Sequence, residues 1–236
     1  MPNPYFQFKE FVIQQDRCAM KVGTDGVLLG AWADVKEAGS VLDIGAGTAL
    51  LSLMVAQRSG AQITAVEIDE ASALQASENV KQSKWSNRIN VVNLSLQEYV
   101  KCAKERFDFI ISNPPYFRNS LKSPKGNRTT ARHTDSLSFD DLLSGVDQLL
   151  SEDGTFAVVL PFPEKLSFIE LASQYGLYPK RITDVFPTPQ SEPKRFLAEF
   201  SHNKIIADPQ KLIIESDGRH QYSEEYKKLT ADFYLK

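Results

Sequence analysis

From about position 40 onward, the chain alternates short runs rich in Val and Ile with amphipathic helical runs. VLDI (41–44), ITAVEI (63–68), INVVNL (89–94), FDFIIS (107–112) and TFAVVL (155–160) read as strands. Helical spacing occupies the intervals: ALLSLMVAQ (49–57), the run N-capped by Asp69, SFDDLLSGVDQLL (138–150) and PEKLSFIELASQYG (163–176). In the third of these, Leu142, Leu143, Val146, Leu149 and Leu150 share one stripe. Strands this apolar must be covered on both faces, so the pattern predicts an α/β fold with a parallel sheet between two helical layers. The tail breaks the rhythm. YPKRITDVF and KRFLAEFS are joined only by the turn PTPQSEP, which predicts an antiparallel hairpin at the sheet edge. That brings the expected sheet to seven strands, with EEYKKLTADFYL (224–235) as a closing helix.

Composition excludes several classes. No apolar run approaches the ~18 residues of a membrane span. The opening MPNPYFQFKEF lacks a basic segment followed by an apolar block, so no secretory signal is expected. Cys18 and Cys102 are too few for a disulfide framework or a metal site and read as packing residues in a reduced, cytoplasmic protein. Net charge is −3, which excludes attachment to nucleic acid by global charge but not by a local patch. Such a patch exists. Residues 117–134 carry Arg118, Lys122, Lys125, Arg128 and Arg132 and no acid, in a setting of Pro, Gly, Asn and Ser that predicts a loop.

Three strand ends carry the chemistry. The first strand runs into Asp43-Ile44-Gly45-Ala46-Gly47, where Gly45 and Gly47 permit a tight turn and close approach of a ligand. A dinucleotide fingerprint would need a third glycine at Leu50, and Asp43 would repel a pyrophosphate. A ligand with a cationic head fits better, and S-adenosylmethionine carries an ammonium and a sulfonium without phosphate. Glu67, at the end of the second strand, is placed to accept ribose hydroxyls, and Ser95-Leu96 lies next along the rim. After the fourth strand comes Asn113-Pro114-Pro115-Tyr116. An exocyclic amine is a poor nucleophile because its lone pair is delocalised into the ring. The Asn113 side-chain oxygen and the Pro114 carbonyl can hold both amino hydrogens, in bonds that strengthen as the nitrogen becomes tetrahedral. Pro115 stiffens the backbone, and Tyr116 offers a face on which an extruded base stacks.

DIGAG, VEID and FDFIISNPPY, in that order, resemble the Rossmann-like, S-adenosylmethionine-dependent methyltransferases that modify amino nitrogens. KVGTDGVLLGAW (21–32), NPPYF (113–117), ARH (131–133) and EYKKLTADFYL (225–235) are more closely similar to the bacterial tRNA1(Val) adenine-N6 methyltransferases. The resemblance covers nearly the whole chain and implies one domain, with an N-terminal cover at 1–39, the core sheet at 40–203 and a closing segment at 204–236. It implies tRNA as partner, methylation beside the anticodon, no metal, and Thr24 as an additional donor contact. Where the pattern has an acid for the adenine amino group this chain has Ser95, and where it has a third glycine this chain has Ala49. No separate recognition domain remains after the sheet, so the basic stretch, the N-terminal cover and Lys194-Arg195 fall to the RNA. Other readings stay open: methylation of a protein glutamine, of rRNA or of DNA, or an RNA-binding module without catalysis. A nicotinamide oxidoreductase is the reading least compatible with Leu50 and the Asn-Pro-Pro-Tyr turn.

Overall fold

The protein is described from a computed structural model covering residues 3–18, 20–115, 137–204, 208–216 and 218–235. Two short strands open the chain, β1 (Tyr5–Gln7) and β2 (Val12–Gln14), paired antiparallel, followed by helix α1 (Thr24–Trp32). The core follows as β3 (Ser40–Ile44), α2 (Leu50–Arg58), β4 (Gln62–Val66), α3 (Glu70–Lys81), β5 (Ile89–Val92), α4 (Leu96–Cys102) and β6 (Phe107–Ser112). After the basic stretch come α5 (Phe139–Leu149), β7 (Leu150–Pro161), α6 (Lys165–Gln174), β8 (Tyr178–Phe186), β9 (Arg195–Ser201), β10 (Gln210–Ile213) and α7 (Glu224–Thr230).

Among the described residues, the main sheet has the order β10-β8-β9-β7-β6-β3-β4-β5, with β9 alone antiparallel to its neighbours. Eight strands replace the expected seven. Gln210–Ile213 pairs parallel with β8, so the β8–β9 hairpin forms as expected but β10 takes the outer edge. The closing helix is also shorter than its sequence pattern. It ends at Thr230, and the chain then turns so that Tyr234 bridges to Phe8.

Period-two alternation divides the core. Along β7, Ala157 and Val159 join one apolar cluster, while Phe156, Val158 and Leu160 join the other. The first cluster includes buried residues of α1, α2 and α7; the second includes those of α5 and α6. Helix α1 is buried from Gly26 to Trp32, in keeping with its lack of a polar face. Leu142, Leu143, Val146 and Leu149 line the buried side of α5, while Leu150 opens β7. Side-chain caps fix four helix starts: Asp69, Ser95, Ser138 and Ser223 each accept from a first-turn amide. Of the N-terminal aromatics, Phe8 and Phe11 are buried and stack on each other, with Phe8 also against Tyr234, while Tyr5 is exposed. Cys18 is buried, as expected of a packing residue, whereas Cys102 lies exposed at the end of α4, where it has no core to enter.

Candidate active site

The register of the central strands builds the site. Ile44 pairs with Val66 on one side and with Ser112 on the other, and Val66 pairs with Val92. The residues just past these positions, Gly45, Glu67 and Asn113, therefore leave the sheet side by side at its carboxyl edge. Strand order reverses between β3 and β6, which is where wound sheets open a crevice. The buried Ser112 hydroxyl donates to the Ile44 carbonyl at 2.9 Å and pins the two strand ends together.

The glycine turn is shaped by its own acids. Gly45 (φ +71°) and Gly47 (φ +55°) are left-handed, and so is Ala49 (φ +64°), a strained state for a residue with a side chain. Glu67 is buried; its two oxygens accept from the Gly47 amide at 2.8 Å and the Asp69 amide at 2.9 Å. Asp43 lies wholly beneath the turn, and one oxygen accepts from the Ser52 amide at 3.1 Å and the Ser52 hydroxyl at 2.7 Å. Its other oxygen is buried without a hydrogen-bond partner. Burial drives the Asp43 pKa up to about 7; the Ser52 bonds oppose the rise and the nearby Glu67 charge adds to it. A side-chain atom added at Gly45 or Gly47 would meet nothing within 4 Å, so there is open space in front of the turn. An unsatisfied carboxylate oxygen buried beneath a turn that borders open space is in keeping with a cationic ligand at the turn.

Thr24, Pro114, Pro115, Ser95 and Leu96 are the other expected site residues among those described. Thr24 is the exposed first residue of α1. Two positions on, a Cβ at Gly26 would lie 3.0 Å from a Leu50 methyl and 3.7 Å from Asn113 Nδ2, so the first turn of α1 meets both α2 and the Asn113 carboxamide. Pro114 is buried and Pro115 exposed. Ser95 is the cap of α4: its hydroxyl accepts from the Glu98 amide and donates to the Glu98 carboxylate at 2.6 Å, while Leu96 is buried. Arg195 donates to Asp25 at 2.8 Å, tying the start of β9 to α1. Tyr116, Arg118, Lys122, Lys125, Arg128, Arg132 and His133 lie outside the described residues.

Three residues enter the rim that the sequence reading missed. Ile68, just after Glu67, is a 55% exposed apolar side chain. Asn93 donates to the carbonyls of Glu67 and Ile68 at 2.8 and 3.0 Å and joins the ends of β4 and β5. Asn79 of α3 is buried and reaches the Thr48 carbonyl at 3.0 Å. Its signal was present as a polar residue four positions after Gln75, on the stripe that also carries Ala76 and Val80. Among the described residues, no group of three or more His, Cys, Asp or Glu could hold a metal, and no helix is long and apolar enough to cross a membrane.

A parallel sheet with a reversed strand order, a glycine turn over a buried acid and a carboxamide on the adjoining strand define the class of Rossmann-like methyltransferases. A family model described as "Methyltransferase small domain" matches residues 20–162. The chain is 51% identical over 237 residues to a Bacteroides fragilis protein named tRNA1(Val) (adenine(37)-N6)-methyltransferase, with 100% of both chains covered. It is 48% identical over 236 residues to a protein of the same name from Parabacteroides distasonis, again with 100% of both covered. The chain belongs to this family. Among solved structures, a predicted O-methyltransferase from Agrobacterium tumefaciens superposes with a TM-score of 0.68 at 21% identity, covering 89% of this chain and 96% of that one. That likeness is one of fold.

Proposed function

We propose that this protein transfers the methyl group of S-adenosylmethionine to N6 of an adenine in tRNA, at adenine 37 of tRNA1(Val) as its relatives are named. The observation that carries this reading is the paired register of Ile44 with Ser112, which sets the glycine turn and the Asn113 carboxamide on adjacent strands. S-adenosylmethionine, when bound, supplies an electrophilic methyl group on a sulfonium. Asp43 would face its ammonium through the unpartnered oxygen, Gly45 and Gly47 would line it, and Thr24 and Glu67 would border it, with Ser95 and Leu96 farther along the rim. The Asn113 side-chain oxygen and the Pro114 carbonyl accept the two amino hydrogens of the adenine and favour the pyramidal nitrogen. Pro115 restrains that carbonyl, so little reorganisation is needed as charge develops, and Tyr116 stacks on the base. No side-chain base is required, since the extra proton can leave to water after transfer.

In this reading residues 1–236 form one cytoplasmic methyltransferase domain, and the RNA is held by Arg118, Lys122, Lys125, Arg128 and Arg132 with help from Lys194 and Arg195. The decisive experiment uses purified protein, bulk tRNA and labelled donor, with nucleoside mass spectrometry of the product. Label should appear as N6-methyladenosine. Asn113→Ala should lower the rate roughly 10²–10³-fold, the loss seen for one preorganised hydrogen bond, while S-adenosylhomocysteine binding is unchanged. A wild-type rate from that variant, or label entering protein in place of tRNA, would refute the assignment.

A further inference from the structure

The end of β2 and the segment that follows it, the strap, are fastened by two buried carboxamides of α3. Asn79, 1% exposed, accepts from the Gln14 amide and donates to the Gln14 carbonyl, both at 2.9 Å. It thus satisfies both backbone groups of one residue, as a neighbouring strand would. Its remaining N–H reaches the Thr48 carbonyl at 3.0 Å. Gln75, one helical turn earlier, accepts from the Arg17 amide and donates to Asp16, both at 2.8 Å. Gln15 accepts from the Val22 amide at 2.8 Å, just before the chain enters α1.

This strap is linked to both halves of the site through its neighbours. Through Asn79 it is joined to Thr48, which sits between the left-handed Gly47 and Ala49. Through α1 it leads to Gly26, whose Cα faces the Asn113 carboxamide. The Thr48 peptide is held on its carbonyl side by Asn79 and on its amide side by the bond from the Ala49 N–H to the Ala46 carbonyl at 2.8 Å. Removing the Asn79 carboxamide therefore loosens the turn at Thr48 and releases both backbone groups of Gln14 at once.

We propose that Asn79 is a positioning residue coupling the N-terminal strap to the glycine turn, so that donor binding and seating of the strap share one equilibrium. This rests on reading residues 43–49 as the donor site. Linkage makes the coupling reciprocal: a ligand on the turn must tighten the strap by the factor the strap tightens the ligand.

The test uses S-adenosylhomocysteine with calorimetry and amide hydrogen exchange. In the wild-type protein, saturating ligand should slow exchange at Gln14 and Arg17 by at least about fivefold, although neither residue belongs to the turn. Asn79→Asp keeps the acceptor for the Gln14 amide but sets an oxygen against two carbonyls; Asn79→Ala removes the bonds without adding charge. Both should bind the ligand at least about tenfold more weakly, and binding should no longer slow exchange at Arg17, whose amide is held by Gln75. A merely structural role would lower stability and leave that protection intact. Unchanged exchange at Gln14 and Arg17 in the liganded wild-type protein overturns the proposal, whether or not the variants fold. So does an Asn79→Ala protein that keeps both wild-type affinity and Arg17 protection. A wild-type protein that binds no ligand at all refutes the donor reading itself, and this inference with it.

Discussion

Asp43 is ionised in the unfolded chain above its ordinary value of 3.8, but in the folded protein burial holds the proton up to about pH 7. Between those values the folded state binds more protons than the unfolded one, so this group's contribution to stability falls as pH rises from about 4 to about 7 and then levels. Asp43→Asn removes that decline. The melting temperature of the variant should match wild type below about pH 4 and exceed it increasingly up to about pH 7, with the full difference kept at pH 8. An ammonium beside the unpartnered oxygen favours the ionised carboxylate, so S-adenosylmethionine affinity should rise through pH 7 in wild type and stay flat in the variant. Ser95→Ala should cost about 1 kcal/mol in a urea titration, because it removes the cap of α4. The acids at 43 and 67 could be located from sequence because they stand at strand ends, yet their partners could not. Glu67 accepts from an amide 20 residues away and Asp43 from one nine residues away, and only the folded register brings those together. Placing Ser95 along the rim left out its second part, the capping box it completes with Glu98 three positions on.

Helix α5 crosses α4 where glycine leaves no room to spare. A Cβ at Gly145 would stand 2.6 Å from a Leu96 methyl and 2.9 Å from its Cγ, so the whole branched end of Leu96 would have to move. Gly145→Ala should destabilise by roughly 1–3 kcal/mol through overpacking. Adding Leu96→Ala should recover part of that loss, a non-additivity visible in paired urea titrations. Elements with a long periodic signature were legible: the α5 stripe, the Val- and Ile-rich central strands, and the helix capped by Asp69. Those missed are short. β1 and β2 have three residues each and β10 has four, too few to display a period. The last turn of the closing helix was misread because its apolar residues continue the helical spacing although Phe233 and Tyr234 belong to the contact with the N-terminal segment.

Across the molecule, a net charge of −3 means that RNA must be held by local charge. Affinity for tRNA should therefore fall linearly in the logarithm of salt. Replacing Arg118, Lys122, Lys125, Arg128 and Arg132 together by Gln should flatten the slope by roughly 3.5–4.5 if each meets one phosphate. An unaltered slope in filter-binding titrations would assign the RNA to other cations.

Phe8 and Tyr234 lie at opposite ends of the sequence and form one bridge, with the Lys9 amide donating to the Phe233 carbonyl at 2.9 Å. Mechanically the polypeptide is a closed ring. Cutting away residues 231–235 would bare Phe8 and loosen the opening hairpin, so the two ends of the polypeptide stand or fall together.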